Sequence, residues 1–118
     1  KGMKKMTDIP FPRPTGWRIL VRPYEGKKTT QGGIVLPEDV RKKEAVGTVV
    51  AKVINMGPLA YKDSSKFGNQ AWCSEGDWVC IGRYAGARFR DKEEKELRII
   101  NDDEVIAVIN DPEDVNNV

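Results

Sequence analysis

Short runs in which hydrophobic and polar residues alternate recur along the chain, a pattern typical of β-strands. In the first run, residues 17–22, the side chains of Trp17, Ile19 and Val21 are expected on one face. The other runs predicted as strands are residues 47–54, 77–81, 87–90, 97–100 and 104–109. No stretch repeats its hydrophobic residues at the helical period of about 3.6 residues. The pattern therefore predicts an all-β fold of five or six short strands, as a sandwich or a small barrel.

Two of these regions carry a further expectation. Residues 77–81 are apolar almost without interruption, which predicts a strand buried on both faces and places Cys80 in the core. Residues 87–90 and 97–100 alternate on either side of a charged link, which predicts a hairpin. The acids of this link are expected at a solvated hairpin tip rather than in acid–base catalysis, and they are Asp91, Glu93, Glu94 and Glu96.

Polar segments divide the chain into parts. Residues 1–16 contain three prolines at alternate positions, which exclude a helix and predict an extended arm outside the core. Residues 17–110 are expected to form one barrel domain, which contains a polar, glycine-containing loop at 25–44 and a long connection at 57–76. Residues 111–118 are expected to be an acidic tail.

Size and charge limit the classes of protein that the chain can represent. With 118 residues, of which 39% are hydrophobic, it is long enough for one domain with a small core. The 20 basic and 18 acidic residues leave a net charge of +2, which is too small to argue for nucleic acid. We expect a cytoplasmic protein, because no signal sequence opens the chain and no run approaches the length of a membrane span.

Candidate catalytic and metal-binding residues are few. The chain has no histidine, which removes the commonest general base and the commonest metal ligand. Two cysteines, Cys73 and Cys80, cannot form a standard zinc site without further ligands. A Ser-Lys or Cys-His pair is not visible either. We therefore expect no enzyme activity, no metal and no cofactor on this chain.

Nucleic-acid binding is an alternative raised by one basic and aromatic region. Tyr84 and Phe89 are residue types that stack on bases. The arginines near them are Arg83, Arg88, Arg90 and Arg98. Alternating arginines are also expected on the solvent-facing side of a strand pair, and the small net charge favours that interpretation.

The most informative segment is Gly32-Gly33-Ile34-Val35-Leu36. Three large aliphatic residues follow each other between polar stretches on both sides. Taken alone, the segment is either a short strand after a Gly-Gly turn or a binding segment that a flexible loop presents to a partner.

Together with its neighbours, this segment resembles the GroES family of co-chaperonins. The resemblance covers about residues 17–110 and consists of four regions in the family's order. They are residues 17–22, Gly32 to Leu36, residues 47–51, and a C-terminal half with Glu75-Gly76-Asp77, Tyr84-Ala85-Gly86 and residues 102–108.

The resemblance implies an irregular β-barrel that assembles into a sevenfold ring and caps an ATP-bound GroEL-type chaperonin. It implies that residues 25–44 are a mobile loop. The chaperonin-binding residues would be Ile34, Val35, Leu36, Gly32 and Gly33. Nucleotide is then expected on the chaperonin and not on this chain, and neither nucleic acid nor a membrane is an expected partner.

Two further assignments follow from the resemblance. Residues 57–76 match the position of the family's roof hairpin, which lies over the central opening, and Tyr84 matches an aromatic residue that faces the enclosed chamber. The connection at 57–76 departs from the family because it carries Tyr61, Phe67 and Trp72 where a small polar hairpin is expected.

The long proline-rich extension and the aromatic connection are similar to features of bacteriophage-encoded co-chaperonins. Such an origin would place the protein in the cytoplasm of a host. The alternative function is a GroES-like barrel used as a structural or decoration component of a viral or other assembly, because a fold alone does not determine a function. The retained Ile34-Val35-Leu36 argues against that alternative.

Overall fold

The computed structural model describes residues 11–25 and 49–115, and most of the described residues belong to strands or to the turns between them. The strands are β1 (Arg18–Pro23), β2 (Val50–Met56), β3 (Trp78–Ile81), β4 (Ala87–Arg90), β5 (Glu96–Asn101) and β6 (Val105–Ile109). One helical turn, α1 (Ser64–Phe67), lies between β2 and β3. Short 3-10 helices span Asp102–Glu104 and Pro112–Asp114. The prediction of an all-β fold with little helix is confirmed.

The six described strands form one antiparallel sheet in the order β4-β5-β1-β2-β3-β6. Ile19 of β1 lies opposite Met56 of β2 on one side and opposite Ile100 of β5 on the other. The register shifts once between Leu20 and Val21 of β1, and such a bulge increases the local twist and bend of a sheet. The predicted hairpin of β4 and β5 is present, with residues 91–95 as its turn.

The sheet curls around a hydrophobic cluster of described residues, as expected of a small irregular barrel. Strands β1, β2, β3, β5 and β6 all contribute, and so does the connection between β2 and β3. The buried members of the cluster are Ile19, Val21, Ala51, Val53, Ala60, Tyr61, Phe67, Cys73, Val79, Ile81, Ile100 and Val105. The connection at 57–76 is thus partly core, although its sequence is mostly polar.

Two sequence-based expectations about individual strands are wrong. Trp17 does not share the buried face of Ile19 and Val21: it is 55% exposed, because it belongs to a turn in which the Arg18 N–H donates to the Thr15 carbonyl before β1 begins. Strand β3 is not buried on both faces. Val79 and Ile81 are buried, whereas Trp78 and Cys80 alternate with them and are half-buried.

The described part of the predicted N-terminal arm contacts the barrel. Pro14 is buried, and the Gly16 carbonyl accepts a hydrogen bond of 2.8 Å from the Leu59 N–H. The ring of Phe11 lies 5.2 Å from the Arg22 guanidinium. Residues 11–16 therefore lie against the body of the protein.

Candidate functional site

Strands β1 and β2 bring together the two ends of the connection that contains the predicted mobile loop. Pro23 is paired with Ala51, and one step further the Tyr24 N–H donates a hydrogen bond of 2.9 Å to the Val50 carbonyl. Residues 26–48, which include Gly32, Gly33, Ile34, Val35 and Leu36, lie outside the described residues. The connection thus leaves and re-enters the sheet at adjacent points.

Tyr24 is the centre of a small group of contacts at this base. Its ring stands edge-on to Trp78, with 5.6 Å between the ring centroids. Its hydroxyl donates a hydrogen bond of 2.6 Å to Oε2 of Glu113. Burial, followed by this hydrogen bond, raises the pKa of Tyr24 to about 12. The proton-donating form of the phenol is therefore held at every physiological pH.

The turn between β3 and β4 presents Tyr84, whose side chain is 86% exposed. The Ala85 N–H closes the turn by donating to the Gly82 carbonyl at 3.0 Å. Gly86 follows with a φ of +73°, and a Cβ at this position would collide with the backbone of Ile99. The Tyr84-Ala85-Gly86 motif is thus a tight turn in which only glycine fits the last position.

Arg98 stabilises this turn from the interior of the protein. Its side chain is fully buried, and Nη2 donates to the carbonyls of Arg83 at 2.9 Å, Gly82 at 3.3 Å and Ala85. Burial lowers the pKa of the Arg98 guanidinium. The expectation that all four arginines of this region face solvent is therefore wrong for Arg98, because carbonyl oxygens of the turn replace water around its charge.

The other arginines of the hairpin are exposed and lie near acids. Arg88 Nε is 3.7 Å from Glu96 Oε2, and Arg90 Nη1 is 3.4 Å from Glu94 Oε1. These pairs offset the positive charge that a nucleic-acid surface would require. The hairpin therefore has the mixed charge of an ordinary solvated strand pair.

Asp91 differs from the solvated tip residue that the sequence suggested. Its side chain is largely buried and accepts hydrogen bonds from the N–H groups of Glu93 and Lys95, at 2.8 and 3.0 Å, and from Arg22 Nη2 at 3.0 Å. The Lys95 N–H is the largest of the influences that lower the pKa of Asp91. Asp91 therefore has a structural role: it closes the hairpin turn and connects it to β1.

The connection at 57–76 contains an aromatic cluster that the sequence did not reveal. The ring centroid of Phe67 lies 4.8 Å from that of Tyr61 and 4.9 Å from that of Trp72. Helix α1 positions Phe67 and is capped by Asp63, whose carboxylate accepts a bond from the Ser65 N–H at 3.1 Å. The sequence carries a signal for this helix. Asp63 is a residue type that caps the start of a helix, and Gly68, directly after the last helical residue, is typical of a helix end.

The edge strand β6 exposes hydrophobic side chains. Ile106 is 71% exposed and Val108 is 47% exposed, while β6 is paired only with β3 within the described sheet. Large aliphatic side chains on an unpaired sheet edge are typical of a surface that another chain covers.

The described residues offer little for metal or redox chemistry. No group of three His, Cys, Asp or Glu side chains among them is arranged to hold a metal ion. Cys73 and Cys80 are both free thiols, and burial raises the pKa of each. Within the ranges that the structure covers, no helix has the length and apolarity to cross a membrane.

Comparison with known proteins agrees with this architecture. The sequence matches the model of the chaperonin 10 Kd subunit family over residues 12–109. It is 37% identical over 97 residues to co-chaperonin GroES 1 of Rhodopirellula baltica, covering 82% of this chain and 90% of that protein. It is 37% identical over 99 residues to co-chaperonin GroES of Caldicellulosiruptor saccharolyticus, covering 84% and 97%. Co-chaperonin GroES of Staphylococcus saprophyticus is 32% identical over 97 residues, covering 82% and 96%. Since the family match includes all six described strands, this chain belongs to the chaperonin 10 Kd subunit family.

Proposed function

We propose that this protein is a co-chaperonin, which assembles into a ring and caps an ATP-bound GroEL-type chaperonin through Ile34, Val35 and Leu36. The observation that carries the proposal is the placement of these residues. In a chain whose relatives are named co-chaperonins, they lie in the connection whose two ends are joined at Tyr24 and Val50. Gly32 and Gly33 precede them and give the backbone freedom to adapt to a groove.

The energetics of such a segment suit reversible capping. Burying three aliphatic side chains contributes roughly 1.5–3 kcal/mol each before costs. Ordering the connection on binding offsets much of this gain. One subunit alone would therefore bind weakly. Several subunits on one ring would act together, and avidity of this kind raises affinity by about 10²–10⁴-fold.

Ring assembly is part of the proposal, and β6 supports it. The exposed Ile106 and Val108 give each subunit an edge that a neighbouring copy can cover. A closed ring needs two different complementary surfaces on each subunit, and an unpaired edge strand is suited to be one of them. We propose seven subunits, as the resemblance to GroES implies.

Tyr84 is proposed to face the enclosed chamber. The buried Arg98 keeps the turn in place while the Tyr84 ring remains 86% exposed, so the ring is displayed on a fixed support. An exposed aromatic ring with a hydroxyl can contact both apolar and polar parts of an unfolded client.

The test is co-sedimentation of the purified protein with a GroEL-type chaperonin, with ATP, with ADP and without nucleotide. We expect nucleotide-dependent binding that Ile34→Asp abolishes. Gln31→Asp is the matched control, because it places the same charge at a polar position of the same connection and should retain binding. Ring size and circular dichroism should be the same for both variants.

Two results would contradict the proposal. If Ile34→Asp unfolds the protein, Ile34 belongs to the core and cannot be a partner anchor. If the wild type binds no chaperonin, including that of the organism in which it is made, the protein is better explained as a structural component that retains the family's barrel.

A further inference from the structure

The C-terminal 3-10 helix contacts the base of the β1–β2 connection. The Tyr24 hydroxyl and Glu113 Oε2 are 2.6 Å apart, although the two residues are separated by 89 positions in the sequence. Tyr24 is the residue that directly follows β1, and Glu113 is the central residue of the Pro112–Asp114 helix. A segment at the end of the barrel is thus joined to the point where the chain leaves the sheet.

Tyr24 is fixed through its backbone and through both parts of its side chain. Its N–H donates to the Val50 carbonyl, and its ring packs edge-on against Trp78. The Lys52 ammonium lies 5.8 Å from the centroid of the Trp78 ring, so this partner is itself held. The bond to Glu113 adds a contact through the phenol hydroxyl, so backbone, ring and hydroxyl of the residue at the start of the connection are all engaged.

The helix that presents Glu113 is itself well anchored. The Asp111 carboxylate accepts a bond of 2.9 Å from the Glu113 N–H, and the Asp111 carbonyl accepts one from the Asp114 N–H. Pro112 is buried against the barrel. Glu113 therefore acts from an ordered turn and not from a free tail.

We infer that Tyr24 and Glu113 are positioning residues for partner binding, because their hydrogen bond orders the described end of the connection that carries Ile34, Val35 and Leu36. This inference rests on the proposed function and adds to it a role for the C-terminal turn. Fixing the first residue of a connection before binding reduces the conformational freedom that must be lost on binding. The hydrogen bond should therefore strengthen binding by ordering the free protein.

A double-mutant cycle in the full-length protein tests the inference. The variants are Tyr24→Phe, Glu113→Ala and the double variant, and Asp114→Asn is the control, because it removes a neighbouring charge that makes no bond to Tyr24. One readout is hydrogen exchange of the Tyr24 amide in the free protein. The other is the Kd for a GroEL-type chaperonin in the presence of ATP.

We expect each single variant to lower the protection of the Tyr24 amide and to raise the Kd roughly threefold to tenfold, since one charged hydrogen bond is lost on every subunit of the ring. The double variant should be no worse than either single variant, because both remove the same bond. Asp114→Asn should behave as the wild type in both readouts.

Two outcomes would overturn the inference. One is a Tyr24→Phe protein in which the protection of the residue 24 amide and the Kd both stay within about twofold of the wild type. The other is a double variant whose two effects simply add. A wild type that binds no chaperonin would instead refute the proposed function, and the exchange measurement alone would then decide whether the hydrogen bond orders the base of the connection.

Discussion

The backbone N–H of Tyr61 donates a buried hydrogen bond of 3.0 Å to Oδ2 of Asp102, 41 positions further along the chain. Tyr61 has a φ of +60°, a left-handed conformation that costs a non-glycine residue about 1–2 kcal/mol. The bond to Asp102 and the packing of the ring against Phe67 and Trp72 offset that cost. This buried contact therefore helps to join the connection at 57–76 to the turn between β5 and β6.

Removing the Asp102 carboxylate should loosen that connection. Asp102→Ala leaves the buried Tyr61 N–H without its acceptor, which we expect to lower the free energy of unfolding by about 1–3 kcal/mol in urea titrations. Asp103→Ala is the control, because Asp103 is more exposed and its pair with Lys66, at 2.6 Å, is solvated and should contribute little. Equal effects of the two substitutions would contradict the role assigned to Asp102.

Replacing the buried arginine should be far more costly than replacing an exposed one. Arg98→Met removes the donor to three carbonyls of the Tyr84 turn, and we expect a loss of about 2–4 kcal/mol in the free energy of unfolding. Arg88→Met, in the neighbouring strand, should cost less than about 1 kcal/mol. Hydrogen exchange should show that only Arg98→Met exposes the amide of Ala85. If Arg98→Met is as stable as the wild type and its Ala85 amide stays protected, Arg98 does not stabilise the Tyr84 turn.

A methyl group at Gly86 should not be accommodated. The added Cβ would meet the Ile99 backbone and lie 2.7 Å from Ile100 Cγ2, in addition to the strain of a positive φ. Gly16→Ala is the control, since Gly16 has a φ of +58° but its nearest neighbour is 3.9 Å away. We expect thermal unfolding to show a clearly larger loss for Gly86→Ala than for Gly16→Ala. Similar melting temperatures for the two variants would show that the positive φ, and not the contact with Ile99, determines the loss of stability.

The raised pKa of Tyr24, about 12, predicts a dependence of stability on alkaline pH. An unfolded tyrosine titrates near pH 10. The stability that this group contributes is therefore fully present below about pH 10 and is lost as the pH rises towards 12. The difference in tyrosinate absorbance between the native wild type and Tyr24→Phe should have its midpoint near pH 12. A midpoint near 10 would show that the phenol is not bonded to Glu113.

The two thiols should react slowly in the native protein. Burial raises the pKa of both Cys73 and Cys80, and the thiolate is the reactive form. Cys73 is buried and its Sγ lies 3.4 Å from the Tyr61 hydroxyl, so it should react more slowly than the half-buried Cys80. Thiol titration with and without denaturant measures both rates. If Cys73 reacts as fast in the native protein as in the unfolded protein, the connection at 57–76 is not packed as described.

The strands could be predicted from sequence because a period of two residues reflects burial on one face of a sheet. The same local reasoning failed at Arg98. An arginine is expected at the surface unless carbonyl groups replace the water around its charge. The carbonyls that do so here belong to Gly82, Arg83 and Ala85, which are too far from Arg98 in the sequence to be predicted as its partners. It also failed for Tyr61, whose environment depends on Asp102. Contacts between residues far apart in sequence leave no periodic pattern.

The candidate site shows the same limit. The segment Gly32 to Leu36 could be singled out because three aliphatic residues between polar stretches are unusual in composition. The bond between Tyr24 and Glu113 could not, because a tyrosine beside a strand and an acid in a tail are both ordinary on a surface. A candidate site can therefore be proposed from sequence, whereas the bond between Tyr24 and Glu113 is seen only in the structure.

Strands β1 and β2 pair with each other along five registered positions, from Ile19–Met56 to Pro23–Ala51. Those contacts involve none of the residues from 26 to 48. Changing the length of a loop between fixed ends costs little, about 0.6 kcal/mol for each doubling. By this estimate the length of the connection can change while β1 and β2 keep their register, so the sheet does not constrain how long the connection must be.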